Sequence, residues 1–227
     1  MTDPSDTSSA DYQGAFHPTA WTCILQARDG SETSVRQALE HLADLYWKPV
    51  FYHIRRKGYG VHDAEDLSQE FFRRFIERKG MEKADPEKGR FRTFLLGSVN
   101  HFLCDEYDKR TADKRTPVSD TLKEQPEQEE AHSFDRDWAT VVIDRAFARL
   151  REQAPREARI LEAQRGGKTR YRDLAEELGA TEGHVKVMAQ RGRTKLRHFI
   201  LDHLRDTSTS EKEAQQELTQ LFAALAE

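Results

Sequence analysis

The sequence predicts an all-α protein with two small helical domains joined by a flexible acidic linker. Three observations lead to this fold class. Apolar residues recur at i, i+3 and i+4 along most of the chain, which is the spacing of one helix face. Glycine (12) and proline (7) are sparse among the 227 residues. The polar segment 117–137 holds seven acidic and two basic residues, a composition typical of a disordered tether.

The composition narrows the class of protein further. Only 37% of the residues are hydrophobic and 33% are charged, which favours small bundles with large solvated surfaces over one large core. The two cysteines, Cys23 and Cys104, show no zinc-site spacing and are expected to be thiols in a reducing compartment. The chain has no signal peptide and no stretch apolar enough to cross a bilayer, so a soluble cytoplasmic protein without a membrane partner is predicted.

Changes in composition along the chain predict five segments. Residues 1–18 are polar and acidic and read as a disordered arm. Residues 19–115 form the first helical domain, 116–137 the acidic linker, and 138–204 the second helical domain. Residues 205–227 form an extension with an amphipathic helix over 213–226, which either folds back on the domain or docks on a partner.

The helix predicted over residues 62–76 carries an acidic face. Asp63, Asp66 and Glu70 lie at i, i+3 and i+7, so they share one side of the helix. Acids near a helix N-terminus are also favoured by the helix dipole, and clustered carboxylates can hold magnesium. A metal-dependent nuclease would need a phosphate-binding loop or a base and nucleophile, and none accompanies these acids. We therefore predict no metal, no cofactor and no enzymatic activity.

Residues 90–110 interleave aromatic and basic side chains. Phe91, Phe94 and Phe102 alternate with arginines and lysines at both ends of the stretch. This pattern suits single-stranded nucleic acid, because bases stack on aromatic rings while cations neutralise phosphates. The alternative is that the aromatic residues belong to the core, and this is the interpretation favoured for Phe94, Phe102 and Leu103.

The stretch from Tyr171 to Arg197 predicts two helices separated by a tight turn. Gly179 is suited to end the first helix, and Thr181 to cap the second. Val185, Met188 and Ala189 give the second helix an inward face, and its outer face is basic. Residues 164–197 contain nine basic and four acidic residues, although the whole chain has a net charge of −4. This concentration of positive charge favours a DNA-binding helix-turn-helix over an ordinary helical hairpin.

Three blocks, in this order, resemble the bacterial sigma factors of the extracytoplasmic-function (ECF) class. HDAEDLSQEFFRRFI resembles region 2.2, which binds RNA polymerase. GRFRTFLLGSVNHFLCDEYDKR resembles regions 2.3 and 2.4, which melt and read the −10 element. YRDLAEELGATEGHVKVMAQRGRTKL resembles region 4.2, which reads the −35 element. The phrases PTAWTCILQARDG and QELTQLFAAL further resemble a subgroup common in planctomycete-like bacteria.

The resemblance implies three sets of site residues. The polymerase-binding face comprises Asp63, Asp66, Gln69 and Glu70. The residues implied to contact −10 DNA are Lys88, Arg90, Phe91, Arg92, Asn100, Asp105, Lys109 and Arg110. Those implied to contact −35 DNA are Thr181, Glu182, Gly183, His184, Lys186, Val187 and Arg191. His184, Val187 and Met188 replace the Thr, Ser and Arg common in the family, so the −35 sequence stays open.

The resemblance implies a protein that directs the bacterial RNA polymerase core to promoter DNA. It would read the −35 element as duplex and the −10 element as a single strand, and it would be associated with the nucleoid. An anti-sigma factor or a regulatory kinase are further partners that the resemblance leaves open. The alternative is a one-component helix-turn-helix regulator with residues 19–115 as a sensor or dimerisation module. That alternative predicts no polymerase binding and leaves the aromatic and basic block at 90–110 without a role.

Overall fold

A computed structural model of the chain describes residues 32–77, 90–112, 128–165, 167, 169–205, 208 and 210–226. These residues form eight helices and no strand, which confirms the all-α fold class. The helices are α1 (Glu32–Arg56), α2 (Val61–Glu77), α3 (Phe91–Ala112), α4 (Gln128–Gln153), α5 (Pro155–Arg165), α6 (Tyr171–Leu178), α7 (Glu182–Arg205) and α8 (Glu211–Ala226). The arm predicted at 1–18, and Cys23, lie outside the described residues.

Helices α1, α2 and α3 bury one face each in a common core. Tyr46 and Ile54 of α1, Phe71 of α2 and Leu95 of α3 are at most 2% exposed. The aromatic side chains meet at their edges, with 5.3 Å between the ring centroids of Tyr46 and Phe91. Phe102 contacts Phe71 at 5.6 Å and is buried, as are Leu103 and Cys104. The expectation that Phe102 and Leu103 are core residues is therefore confirmed, while Phe94 is partly buried against this core.

Helix α4 begins at Gln128, inside the segment predicted to be a flexible linker. Its first ten residues, 128–137, are helical, and Glu130 and Asp137 among them pair with Lys57 and Arg56 of α1; the whole helix also packs against α5, α7 and α8. The structure differs from the predicted linker here because Phe134 and Trp138, one helical turn apart, are each 1% exposed. The linker prediction rested on the net acidic charge of residues 117–137 and did not take the burial of these aromatic residues into account.

Helices α6 and α7 form the predicted helix-turn-helix. Gly179 ends α6 with a φ of 59°, and the amide of Ala180 donates to the carbonyl of Ala175 at 2.9 Å. Only glycine adopts this left-handed backbone at little cost. Thr181 caps α7, since its Oγ1 accepts a hydrogen bond from the amide of His184 at 3.3 Å. Both sequence-based expectations about this turn are confirmed.

Helix α7 packs closely on α5 at one glycine. A Cβ at Gly192 would lie 3.0 Å from the Cβ of Glu157 and 3.2 Å from Cδ1 of Leu161. Any side chain at this position would push the two helices apart. The position of α7 on α5 therefore depends on the absence of a side chain at residue 192.

The C-terminal helix α8 folds back on the body of the protein. Ala214, Leu218 and Leu221 are buried against α4 and α7. Buried residues from α1 through α8 consequently form one continuous hydrophobic core. No described helix is both long enough and apolar enough to cross a membrane.

Candidate nucleic-acid interface

The acidic face of α2 lies on the protein surface. Asp63, Asp66 and Gln69 are exposed, and Glu70 is partly buried. The Glu70 carboxylate accepts hydrogen bonds from Nε of Arg73 at 2.7 Å and from Nε of Arg74 at 2.5 Å. The Arg73 hydrogen bond in particular lowers the pKa of Glu70 to about 2. Three members of the predicted polymerase-binding face thus project outward, while Glu70 is held as an anion within its own helix.

Arg74 connects the acidic face to α3. Its Nη1 donates to Oε1 of Glu106 at 2.5 Å, and its guanidinium lies 5.4 Å from the centre of the Phe102 ring. Desolvation raises the pKa of Glu106, but hydrogen bonds from Lys109 and Arg74 outweigh it and leave that pKa lowered. Glu70 therefore has a packing role in addition to the role that the resemblance implies.

The predicted −10 residues lie on α3 or just before it, and we call Arg90, Phe91, Arg92, Asn100, Asp105 and Lys109 the α3 face. Phe91 is 3% exposed and belongs to the core, so it differs from the prediction of a DNA contact. Asp105 and Lys109 are exposed, with Nζ of Lys109 donating to Oε1 of Glu106 at 2.9 Å. Lys88 lies outside the described residues, and the side chain of Arg110 does as well.

Arg92 is the most deeply enclosed cation of the α3 face. It is 4% exposed, and its Nε donates to Oδ1 of Asp135 in α4 at 2.9 Å. Its Nη1 donates to the Glu217 carboxylate of α8, and its guanidinium lies 3.7 Å from the centre of the Trp138 ring. The resemblance implies that Arg92 contacts −10 DNA, but in this structure two carboxylates and an indole surround it.

Arg90 shares one of these carboxylates. Its Nε lies 3.4 Å from Oε1 of Glu217, although Arg90 itself is exposed. Glu217 is 5% exposed, so one buried carboxylate serves two predicted DNA-contacting arginines. Burial of an ionised group is costly unless it is paired, which explains why Glu217 and Arg92 lie together.

Both polar atoms of the Asn100 side chain make hydrogen bonds within the protein. Its Oδ1 is 2.7 Å from Nε2 of the buried His53 of α1, and its Nδ2 donates to Oε2 of Glu130 in α4 at 3.4 Å. Lys57 pairs with the same Glu130 carboxylate, and Arg56 donates to Oδ2 of Asp137 at 2.6 Å. Burial lowers the pKa of His53, with the Asn100 hydrogen bond opposing that effect. The neutral imidazole is therefore favoured at this junction of α1, α3 and α4.

The predicted −35 residues, Thr181, Glu182, Gly183, His184, Lys186, Val187 and Arg191, lie along α7 and its cap, and we call them the α7 face. All seven are exposed, whereas Val185, Met188 and Ala189 are buried on the opposite side of the helix. Val187 is 48% exposed. Nζ of Lys186 lies 2.6 Å from Oε1 of Glu182. The structure thus brings this predicted set together on one open surface.

The later basic residues of α7 are bound by the protein itself. Nη2 of Arg193 donates to Oε1 of Gln164 at 2.9 Å and to the hydroxyl of Tyr171 at 2.8 Å. Nζ of Lys195 donates to Oε1 of Glu157 at 3.1 Å. The outward basic surface is therefore concentrated in the first three turns of α7.

Sequence reasoning missed Glu130, Asp135 and Glu217 as partners of the α3 face. Arg92 and Glu217 are 125 residues apart, a separation at which no local pattern operates. One signal was present: Glu217 lies on the apolar side of α8, three residues after Ala214 and four before Leu221. A carboxylate in that register must meet a cation when the helix packs. Among the described residues, no three His, Cys, Asp or Glu side chains group as a metal site.

The fold and these surfaces define an all-helical protein with one open helix-turn-helix and, within the same continuous core, a helical unit formed by α1, α2 and α3. Residues 42–112, which span most of that unit, match the family model described as Sigma-70 region 2. For this part of the chain, the match supports a sigma factor role in promoter recognition by RNA polymerase. No curated protein and no solved structure matches the chain.

Proposed function

We propose that the protein is a sigma factor of the ECF class, and that it brings the RNA polymerase core to promoters through two DNA contacts. The observation that carries the proposal is the match of residues 42–112 to Sigma-70 region 2. An open helix-turn-helix after that region supports a second, duplex-reading contact. Two modest contacts on one chain act at a high effective concentration, so together they define a promoter.

In this proposal the exposed acids of α2 bind a basic surface of the polymerase. Asp63, Asp66 and Gln69 project from one side of the helix. Electrostatic complementarity speeds the encounter and fixes its register. The division into domains 19–115 and 138–204, and the role of each site residue, are parts of the same proposal.

The α7 face is proposed to read the −35 duplex. An α-helix fits the major groove of B-DNA, and lysine or arginine can bind phosphates or guanine edges there. Lys186 and Arg191 supply the charge, and the exposed Val187 suits apolar contact with a thymine methyl group. The α3 face is proposed to bind the melted −10 strand, where the unstacking of each base is offset by pocket contacts.

Reconstitution with core polymerase tests the proposal. Asp66→Lys reverses a charge on the proposed polymerase face, and we expect it to weaken association with the core enzyme about tenfold or more. Glu65→Lys is the matched control, because it makes the same charge change one position away on another side of α2 and is also exposed. It is expected to retain association and promoter-dependent transcription.

Two results would contradict this assignment. Full association of the Asp66→Lys protein would remove α2 from the polymerase interface. Tight DNA binding by the wild-type chain without any association with core polymerase would favour a stand-alone helix-turn-helix regulator. Mapping of transcript starts on genomic promoter fragments would identify the sequences that the α3 and α7 faces recognise.

A further inference from the structure

We infer that this structure is a closed, autoinhibited state, in which acidic residues of α4 and α8 occupy the surface proposed to bind −10 DNA. The inference rests on the proposed function of the α3 face. We call Glu130, Asp135 and Asp137 of α4, together with Glu217 of α8, the acidic cover.

Every member of the acidic cover is paired with a residue of the α3 face or of the end of α1. Glu217 meets Arg90 and Arg92, and Asp135 meets Arg92. Glu130 meets Lys57 and Asn100, and Asp137 meets Arg56. Carboxylates are the protein groups that most resemble phosphates in charge and hydrogen-bond acceptance. The cover thus supplies in cis the contacts that a single strand of DNA would otherwise make.

The cover is more than a set of surface ion pairs. Arg92 is 4% exposed and Glu217 is 5% exposed, so water and DNA are both kept from this pair. Trp138 closes the remaining side, with its ring 3.7 Å from the Arg92 guanidinium carbon. For Arg92 to reach a phosphate, α8 must lift away and α4 must release Asp135 and Trp138.

The two helices of the cover are tied to each other. Nε of Arg136 in α4 donates to the carbonyl of Ala224 in α8 at 3.3 Å. Leu218 and Leu221 of α8 are buried against the same core that holds α4. Displacement of α8 therefore loosens the first turns of α4 as well, and the α3 face opens as a unit.

The α7 face is not covered in this state. His184, Lys186 and Arg191 are exposed, and α8 meets α7 toward its C-terminal end, where Arg205 pairs with Glu211. The closed protein is thus competent for the duplex contact and blocked for the single-stranded contact. An activating partner, the polymerase itself or a modification, would have to displace α8 to complete promoter binding.

The test compares two single-charge variants on the same helix. Glu217→Gln removes the carboxylate that holds Arg92, and Glu211→Gln removes a carboxylate of α8 that pairs with Arg205 instead. Both raise the net charge by the same amount, so a difference between them reports the contact and not the charge. Binding of a fluorescein-labelled oligo(dT) of roughly fifteen nucleotides is measured by anisotropy, and exposure of residues 211–226 by hydrogen–deuterium exchange.

We expect Glu217→Gln to accelerate exchange in α8, to leave α6 and α7 protected, and to bind oligo(dT) about tenfold more tightly than wild type. Glu211→Gln is expected to stay within about twofold of wild type. Asp135→Asn provides a second route to the same result, because Asp135 is only partly buried and its loss threatens folding less. A gain in affinity with both cover variants supports the closed state.

Three results would overturn the inference. Faster exchange in α8 without a gain in oligo(dT) affinity would show that the cover does not block binding. Unchanged exchange in Glu217→Gln would show that Glu217 does not hold α8. Loss of protection across α6 and α7, together with no gain for Asp135→Asn, would show that the contact is structural only. Association with core polymerase is measured in parallel and tests the proposed function. If no variant and no wild-type protein associates with the core enzyme, the proposed function is wrong. If they associate but oligo(dT) affinity does not rise, only the inference about the acidic cover is wrong.

Discussion

The α7 face and the α3 face carry similar side chains but differ in what they contact. On α7, the predicted DNA residues project into solvent, and Val185, Met188 and Ala189 anchor the helix from behind. On α3, residues of α4 and α8 bind the buried Arg92 and the partly buried Asn100, whereas Asp105 and Lys109 are exposed. An arginine therefore projects into solvent on one face and is bound by the protein on the other, and the packing of distant helices decides which.

The most direct test of this difference replaces one arginine on each face by alanine. Arg92→Ala leaves Asp135 without its cation and Glu217 with only the more distant Arg90, and we expect it to lower the free energy of unfolding by about 3–5 kcal/mol. Arg191→Ala removes an exposed side chain and should change that free energy by no more than about 0.5 kcal/mol. Urea unfolding followed by circular dichroism measures both.

DNA binding should rank the two variants in the opposite order. Arg191→Ala is expected to weaken binding to a mixed-sequence duplex and to lower the slope of log affinity against log salt by about one. Equal stability losses for the two arginines would refute the distinction between a covered and an open face. An unchanged salt slope would remove Arg191 from the duplex contact.

The second prediction concerns the packing that keeps the α7 face in place. Gly192→Val forces a branched side chain against Glu157 and Leu161, and should cost about 1–3 kcal/mol of unfolding free energy. Gly183→Ala is the control within the same helix, because a Cβ there meets nothing within 4 Å. It should be neutral or stabilise the protein by up to about 1 kcal/mol. Thermal unfolding of both variants checks this, and an equally stable Gly192→Val protein would contradict the close approach of α5 and α7.

The smallest effect expected is a pH dependence at the junction beneath the α3 face. Because burial lowers the pKa of His53, the unfolded chain binds a proton more readily than the folded one. Stability conferred by the neutral imidazole is therefore present above the unfolded pKa and is lost as pH falls below about 6.5, by at most about 1.4 kcal/mol per pH unit. Glu130, Lys57 and Arg56 face the same site, and the pKa of Glu130 is itself lowered, which keeps its titration at more acidic pH.

Urea unfolding between pH 7 and pH 5.5 tests this slope. His53→Gln keeps a donor for Asn100 but has no imidazole, so its stability should vary less with pH than that of the wild type. His62→Gln, at an exposed position, serves as the control and should follow the wild-type curve. A slope that persists undiminished in His53→Gln would assign the pH dependence to another group.

The features that the sequence predicted correctly depend on residues that are close together in the chain. The end of α6 at Gly179, the cap at Thr181 and the inward register of Val185 and Met188 each depend on neighbours within one or two turns. The exposed acids of α2 follow from the same helical spacing. These features needed no knowledge of which helices meet.

What it missed depended on contacts between distant segments. Phe134 and Trp138 turn an acidic stretch into a helix only because α1 and Arg92 receive their side chains. The enclosure of Arg92 required Glu217, from a helix that begins 119 residues later. Charge counts described residues 117–137 correctly as acidic, yet they could not reveal that part of this charge is neutralised within the chain.

The conformation of residues 128–137 affects how far α1 can move from the rest of α4. Residues 128–137 rise about 1.5 Å each as a helix, roughly 15 Å in all, but about 3.3 Å each when extended. These ten residues are the first part of the 26-residue helix α4, so loss of their contacts with α1 would favour fraying from this end of the helix. Fully extended, the same ten residues would span more than twice their helical length.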